Sequence, residues 1–426
     1  HLPDLLDIAA KKYANKPAVS CKKEDSWNTI SYQELKAKVD GLSAVLLTKG
    51  IKKGDKVIII SGSRPEFNIV DLAALQIGAV SVALFANYTP NQMQHYIAHS
   101  DATIAFVDEC FAGMAGEVLN AGNGQLKAVY NFDADHGAEA FHNLLTTELT
   151  DEHRQAIQQA KNEIKPDDPA IIFYTSGTGG SPNGAIASHR NYVVAGTKFA
   201  KRLNLKAGEP VLSYLPLCHA YERAHFFTYL VTGCHIYYAE SPMDVVSNAM
   251  ETQPTAFTTV PLLLEKIMQT IAVQSRGLKG ADKVEFEEAI AFAKSLEPKD
   301  LEAARLTNRY QLFEEKYYTK WRRLLGGSIK HLMCSGAALP KDIGQFYYAI
   351  GVPIIIIYGI TETSAVTYGH FKEVPDYGTA GFVLDDVEVK LGNKQEIMVR
   401  SSCVMKGYYK NEELTRKVLN NEGWYY

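Results

Sequence analysis

Ala170-Ile171-Ile172-Phe173-Tyr174-Thr175-Ser176-Gly177-Thr178-Gly179-Gly180-Ser181-Pro182-Asn183-Gly184 sets the reading of the whole chain. Its first four residues form an apolar, strand-like run, and the rest is a loop rich in glycine and hydroxyl groups. Glycines let the backbone approach a ligand closely and turn its N–H groups inward. Thr175, Ser176 and Thr178 add short hydroxyl donors, so the loop is suited to cradling phosphate oxygens. A mobile surface loop is the alternative that such a composition leaves open. The run is not a Walker A loop, because no Lys-Ser/Thr pair closes it and its spacing differs.

Outward from this loop the chain alternates. On the N-terminal side, Ser31 and Glu34 predict a capping box opening a helix towards Gly50. Lys56–Ile60 reads as a buried strand, 64–77 as a helix closed by Gly78, 79–85 as a strand, 90–99 as a helix and 103–107 as a strand. This β-α-β-α-β order predicts a parallel sheet with right-handed crossovers. On the C-terminal side a helix is predicted over about 188–202. Strands follow at 211–215, 235–239, 256–260, 329–334 and 353–358. Residues 267–325 are charged and helix-forming, an insertion rather than a new domain. From Phe382 shorter strands dominate, notably 387–391 and 396–400. The expected fold is α/β: two open, mostly parallel sheets flanked by helices, with a small β-rich subdomain near the C-terminus. The expected division is 1–165, 166–370 and 371–426.

The 426 residues suffice for a sizeable core. An apolar fraction of 46%, a charged fraction of 22% and a net charge of −4 give a soluble globular composition with no basic footprint for nucleic acid. Six scattered cysteines show no C-x-x-C pair and no His-paired metal spacing. They read as thiols in a reducing cytoplasm, a structural disulfide being the minor alternative. The longest aliphatic run, Val352–Ile357, is broken by Pro353 and is far too short to span a bilayer. No signal peptide is legible, and His1 is not a natural initiator.

Three more motifs end apolar strands. Tyr358-Gly359-Ile360-Thr361-Glu362-Thr363 offers Glu362 as a hard oxygen ligand for Mg²⁺ and Tyr358 as a ring to stack on a base. A strand-to-helix turn capped by Thr361 is the competing reading. Ser335-Gly336-Ala337-Ala338-Leu339 would let a flat ring lie on the backbone, and a plain tight turn fits it equally. Leu215-Pro216-Leu217-Cys218-His219-Ala220-Tyr221-Glu222-Arg223 carries a single histidine, a residue type more often structural than catalytic.

Taken in order, these motifs resemble those of the adenylate-forming enzymes: acyl-CoA synthetases, luciferases and the adenylation domains of peptide synthetases. The family loop reads Tyr-Thr-Ser-Gly-Thr-Thr-Gly-x-Pro-Lys-Gly, and this chain departs from it at Gly179 and Asn183. Tyr358–Thr363 resembles the Tyr-Gly-x-Thr-Glu motif. The histidine run resembles Leu-Pro-Leu-x-His-x-x-Glu-Arg, with Glu222 and Arg223 pointing to the long-chain acyl-CoA synthetase branch. Val399–Asn411 resembles Arg-Gly-Pro-x-Val-Met-x-Gly-Tyr-Tyr, with Ser401 and Ser402 as departures. Glu422–Tyr426 resembles the approach to Trp-x-x-Thr-Gly-Asp, so the ribose Asp, the hinge and the small C-terminal domain are expected to lie outside this sequence.

The resemblance implies ATP, Mg²⁺ and coenzyme A as cofactors or co-substrates, with a fatty acid as partner. It assigns Thr175, Ser176, Gly177, Thr178, Gly179 and Gly180 to the phosphates, and Thr361 to the α-phosphate. Tyr358, Gly359, Gly336, Ala337 and Ala338 take the adenine side. Glu362 holds Mg²⁺ with Thr175, and His219 lies beside the carboxylate being activated. The implied reaction converts a long-chain fatty acid to acyl-AMP and then to acyl-CoA. A ligase loading a carrier protein and a degenerate nucleotide- or lipid-binding homologue are the alternatives. The implied location is cytoplasmic, with peripheral association at the inner face of the membrane as its variant.

Overall fold

The computed structural model describes residues 1–121, 126–134, 140–146, 148–175, 183–369 and 374–426. Its strands begin with β1 (Pro17–Lys23), β2 (Ser26–Ser31), β3 (Lys56–Ile60), β4 (Val80–Leu84), β5 (Ala102–Val107) and β6 (Ala128–Asn131). The middle of the chain supplies β7 (Pro169–Thr175), β8 (Asn183–Ser188), β9 (Pro210–Ser213), β10 (His235–Tyr238), β11 (Ala256–Thr259) and β12 (His331–Cys334). The last third adds β13 (Ile354–Ile360), β14 (Ser364–Tyr368), β15 (Phe382–Val383), β16 (Val387–Leu391), β17 (Ile397–Ser401) and β18 (Gly407–Tyr408).

Among the described residues these build two large sheets and a two-stranded ribbon. The first sheet runs β18-β8-β7-β4-β3-β5-β6 and the second β15-β14-β13-β12-β11-β9-β10-β1-β2. Both are parallel in the middle and antiparallel at edges, through β7–β8–β18 in one and β1–β2 and β13–β14–β15 in the other. β16 and β17 form the ribbon. The expected fold class is therefore the observed one.

Alternation along β3 shows how the layers are specified. Val57 and Ile59 join the large core between the sheets, whereas Ile58 and Ile60 join the core on the sheet's outer face. Side chains of successive strand residues point to opposite faces, so a run apolar at every position is a strand covered on both sides. The central core also takes Val19, Val211, Ile236, Met333 and Ile355 from the second sheet. Between the sheets lie the helices Pro65–Gln76 and Ala220–Thr232, buried nearly all round, as a helix with no solvent face must be. The charged stretch 267–325 lays Phe286, Tyr318 and Trp321 on the outer face of the second sheet, against Leu212, Phe257 and Leu332. It completes a layer and has no core of its own among the described residues.

Sheet membership crosses the divisions expected at 165 and 370. β1 and β2 join the second sheet, β7 and β8 join the first, and β18 returns from the C-terminal region to pair with β8. The β1–β2 hairpin turns at Glu24 and Asp25, both at positive φ. Its outer strand has no buried residue and is an edge with no apolar alternation to betray it. The turn expected to run from a strand into a helix at Thr361 is a β-hairpin: β13 continues through Gly359 and folds back as β14. Two of the cysteines are not buried, Cys21 being half-buried and Cys110 exposed, and all six are free thiols.

Candidate active site

Three strand ends meet at one cavity of about 380 Å³. β7 brings Thr175, the turn after β12 brings Gly336, and the β13–β14 hairpin brings Gly359, Thr361 and Glu362, with His219 entering from the helix that begins at Ala220. Gly336 has φ +88°, a backbone conformation that favours glycine. Phe199, Ile357 and Ala365 supply an apolar wall. A second cavity of about 330 Å³ adjoins the first, sharing Thr175, His219 and Thr361 and adding Phe85, Tyr88 and Tyr174. Size and lining suit an organic ligand with one polar end. A larger cavity of about 550 Å³ touches the second at Phe85 and Asn87 but takes only Pro216 from the motifs and none of the candidate site residues. Its Arg64 is already held by Glu66, Asp108 and Asp133.

The helix carrying His219 at its N-cap is fixed from both sides. His219 Nδ1 accepts the Tyr221 N–H at 3.2 Å. In the neutral ring the proton then sits on Nε2, leaving a donor for a ligand oxygen. Desolvation by the surrounding protein lowers the histidine's pKa even though the residue is exposed. Glu222 accepts from Ser213 Oγ at 2.6 Å and from Thr258 Oγ1, both in the second sheet. Arg223 reaches the other way, donating to Asp71 and, at 2.7 Å, to Ser81 Oγ of β4. Arg223 and Asp71 are both fully buried. Consecutive charges thus pin the first turn of one helix to both sheets. Burial pushes the Glu222 carboxyl up to about 7, against the two hydroxyls that favour its charged form.

Tyr174 is buried, its hydroxyl 2.8 Å from His99 Nδ1. Thr175 closes β7, and its hydroxyl makes a long contact, 3.4 Å, with the Asn183 carbonyl. Ser176, Gly177, Thr178, Gly179 and Gly180 lie outside the described residues. Glu362 is buried yet lines the cavity; its Oε1 accepts from the Tyr408 hydroxyl at 2.7 Å. Tyr358 does not line the cavity: it is exposed on β13, paired with Thr367. Ala337 and Ala338 are exposed beside Gly336, also off the cavity wall. Sequence reasoning passed over Phe199, Tyr221 and Tyr408 as site residues. Tyr408 stood inside a quoted motif, but its partner is 46 positions away.

No group of three or more metal-ligating side chains occurs among the described residues. The oxygen donors at the cavity are one carboxylate, Glu362, and hydroxyls that include those of Thr175, Ser335, Thr361 and Ser364. Mg²⁺ commonly takes one or two carboxylates and completes its shell with phosphates and water. The set fits a cation that arrives with a triphosphate.

The AMP-binding enzyme family matches residues 6–409. The chain belongs to that family. A long-chain-fatty-acid–CoA ligase of Mycobacterium bovis, FadD15, is 26% identical over 406 residues, covering 94% of this chain and 66% of the relative. A chloroplastic long-chain-fatty-acid–[acyl-carrier-protein] ligase of Arabidopsis thaliana is 27% identical over 484 residues, covering 100% of this chain and 66% of its own length. The chain thus spans about two thirds of the length of these relatives. Among solved structures, the inhibitor-bound N-terminal domain of FACL13 from Mycobacterium tuberculosis superposes with a TM-score of 0.74 at 17% identity, covering 100% of this chain and 94% of that one. At that identity the likeness concerns the fold. No helix among the described residues is long and apolar enough to cross a membrane.

Proposed function

We propose that the protein carrying this chain activates a long-chain fatty acid with ATP, forming acyl-AMP and pyrophosphate, and then passes the acyl group to the thiol of coenzyme A with release of AMP. The observation that carries this is the convergence of Thr175, His219, Gly336, Gly359, Thr361 and Glu362 on one cavity in a member of the AMP-binding enzyme family. A carboxylate is a poor electrophile, and joining it to AMP supplies a leaving group. Charge gathers on the phosphates during the first step, so catalysis here is mostly positioning and electrostatic stabilisation.

In this reading the glycine loop and Thr175 receive the β- and γ-phosphates, and Thr361 donates to the α-phosphate. His219 Nε2–H donates to the carboxylate, steadying it without removing its nucleophilic charge. Gly336 and Gly359 leave room for the adenine, with Tyr358, Ala337 and Ala338 at its outer edge. Glu362 and Thr175 would hold Mg²⁺, which when bound neutralises phosphate charge. The acyl tail leaves along Phe199, Ile357 and Ala365. We place the protein in the cytoplasm, with peripheral contact to the inner membrane face as the variant.

A second reading has a specific support: a carrier-protein ligase is among the relatives, at similar identity. ATP–pyrophosphate exchange with a series of fatty acids, using the complete protein, tests the first half-reaction. Thioester formation with free coenzyme A or with a carrier protein then separates the two readings. No fatty-acid-dependent exchange would leave a nucleotide- or lipid-binding homologue.

A further inference from the structure

The segment 402–410 leaves the C-terminal ribbon and runs back across the site. Asn191 Nδ2 holds its start, donating to the Ser402 and Val404 carbonyls at 2.6 and 3.2 Å. The Met405 N–H then donates to the Glu362 carbonyl at 2.8 Å. Lys406 and Tyr409 donate through their N–H groups to the carbonyls of Ile186 and Gly184, both at 2.8 Å, as β18 pairs with β8. The far end is tied to Asp101 by the Tyr409 hydroxyl and the Lys410 ammonium, both at 2.7 Å. Gly407, at φ +140°, is needed for this path: a Cβ there would meet Thr415 Cγ2 at 2.7 Å.

Tyr408 sits at the centre of this strap. Its backbone is paired with Ala185, in the strand that leads out of the glycine loop, and its N–H donates to Thr415 Oγ1 at 2.8 Å. Its hydroxyl donates to Glu362 Oε1. An ionised carboxylate accepts on both oxygens, and a buried O–H donor to one of them is a strong, directional restraint. None of the described hydrogen bonds engages Glu362 Oε2, and Glu362 lines the cavity.

We propose that Tyr408 is a positioning residue for Glu362: it holds Oε1 so that Oε2 is presented to the cation–phosphate site. This rests on the reading of Glu362 as a metal-holding residue, and it extends that reading to a partner on a different sheet. Partners of this kind typically change metal affinity by about 10- to 100-fold when removed.

The test uses Tyr408→Phe, which deletes one oxygen and keeps the ring packed beside Ala185 and Met405. Mn²⁺ binding in the presence of ATP is followed by electron paramagnetic resonance, alongside native protein and Glu362→Gln. The expected result is an affinity for Mn²⁺ about 10-fold weaker in Tyr408→Phe, with ATP binding in a chelator and the melting temperature little changed. In pyrophosphate exchange the KM for Mg²⁺ rises while kcat at saturating Mg²⁺ stays near native. Unchanged Mn²⁺ affinity in Tyr408→Phe, with loss in Glu362→Gln, overturns the proposal and leaves Tyr408 a packing residue. Unchanged affinity in Glu362→Gln as well overturns the metal reading of Glu362, and the role of Tyr408 with it. A melting temperature that falls with no change in the KM for Mg²⁺ also counts against positioning.

Discussion

Thr175 and Asn183, the residues that flank the glycine-rich run in sequence, face each other across the last rung of the β7–β8 ladder. The loop is therefore held at both ends by one hairpin, in register through Tyr174↔Gly184 and Phe173↔Ala185. Gly184 is required next to it: a Cβ there would approach Ile172 Cγ2 to 2.9 Å. Under the proposed function this anchoring would matter, because groups that receive phosphates serve best when the backbone on either side of them is fixed.

Glu362→Gln should lower fatty-acid-dependent pyrophosphate exchange by on the order of 10²-fold or more, by analogy with loss of a transition-state electrostatic group. Shape is nearly kept, since Gln can still accept from Tyr408. The unfolding midpoint in urea should barely move. Exchange at limiting Mg²⁺ that matches native protein would reduce Glu362 to a turn residue.

Arg223→Met should destabilise the fold by about 3–5 kcal/mol, the cost of leaving a buried charge without its partner. Asp71 would remain, desolvated between the sheets, and the guanidinium's contacts over Phe67 and Phe173 would be lost. Adding Asp71→Leu should recover much of the loss, because a pair replaced by apolar groups is often close to neutral. Urea unfolding of both single variants and the double variant measures the coupling. A loss in the double variant equal to the sum of the two single losses would show that the pair contributes no coupling.

The sequence showed where layers form but not how they interleave. Val57–Ile60 and Ile104–Val107 were legible as strands because every position is apolar, and every one of them is buried. β8 was not, since Asn183-Gly184-Ala185 reads as a continuation of the loop and is held as a strand by pairing with β7 and β18. The site divides in the same way. Thr175, His219, Gly336, Thr361 and Glu362 are placed by local strand ends, which motifs report. Tyr358 falls outside because β13 runs on through it, turning alternate residues to opposite faces. The Glu362–Tyr408 bond depends on a strap returning from another part of the chain, and no local pattern encodes that.

Stability should fall as pH rises between about 4.5 and about 7 through Glu222. Its folded pKa lies above that of the unfolded chain, so the folded state binds the extra proton in that window and loses the advantage above it. Glu222→Gln, which stays neutral, should therefore gain on native protein from pH 5 to pH 8, by roughly 3 kcal/mol if the full shift is expressed. His225 and His235 act in the opposite sense. Burial pushes both down to about 4, so stability is lost as pH falls from 6.5 towards that value. Comparing variant with native at each pH cancels their contribution. A difference that does not change with pH would mean that Glu222 keeps one protonation state throughout.

Asn183→Lys tests the departure of this loop from the family pattern. The position pairs through its backbone with Thr175, so a lysine leaves the hairpin register intact. An amide offers two N–H donors without net charge, whereas an ammonium beside a phosphate is worth about 1–3 kcal/mol as a charge-assisted hydrogen bond. Ordering a long side chain takes back part of that gain. The net expectation is ATP binding, or an adenylation rate, improved by up to about ten-fold, since ~1.4 kcal/mol is one decade. Added salt should shrink the gain, because a partly solvated charge is screened. The measurement is the ATP dependence of pyrophosphate exchange in native protein and variant, at low and at moderate ionic strength. A gain that disappears with salt would identify Asn183 as a natural weakening of the phosphate site. No change at low salt, or a loss, would show that the loop binds through its backbone and hydroxyl donors and has no use for the charge.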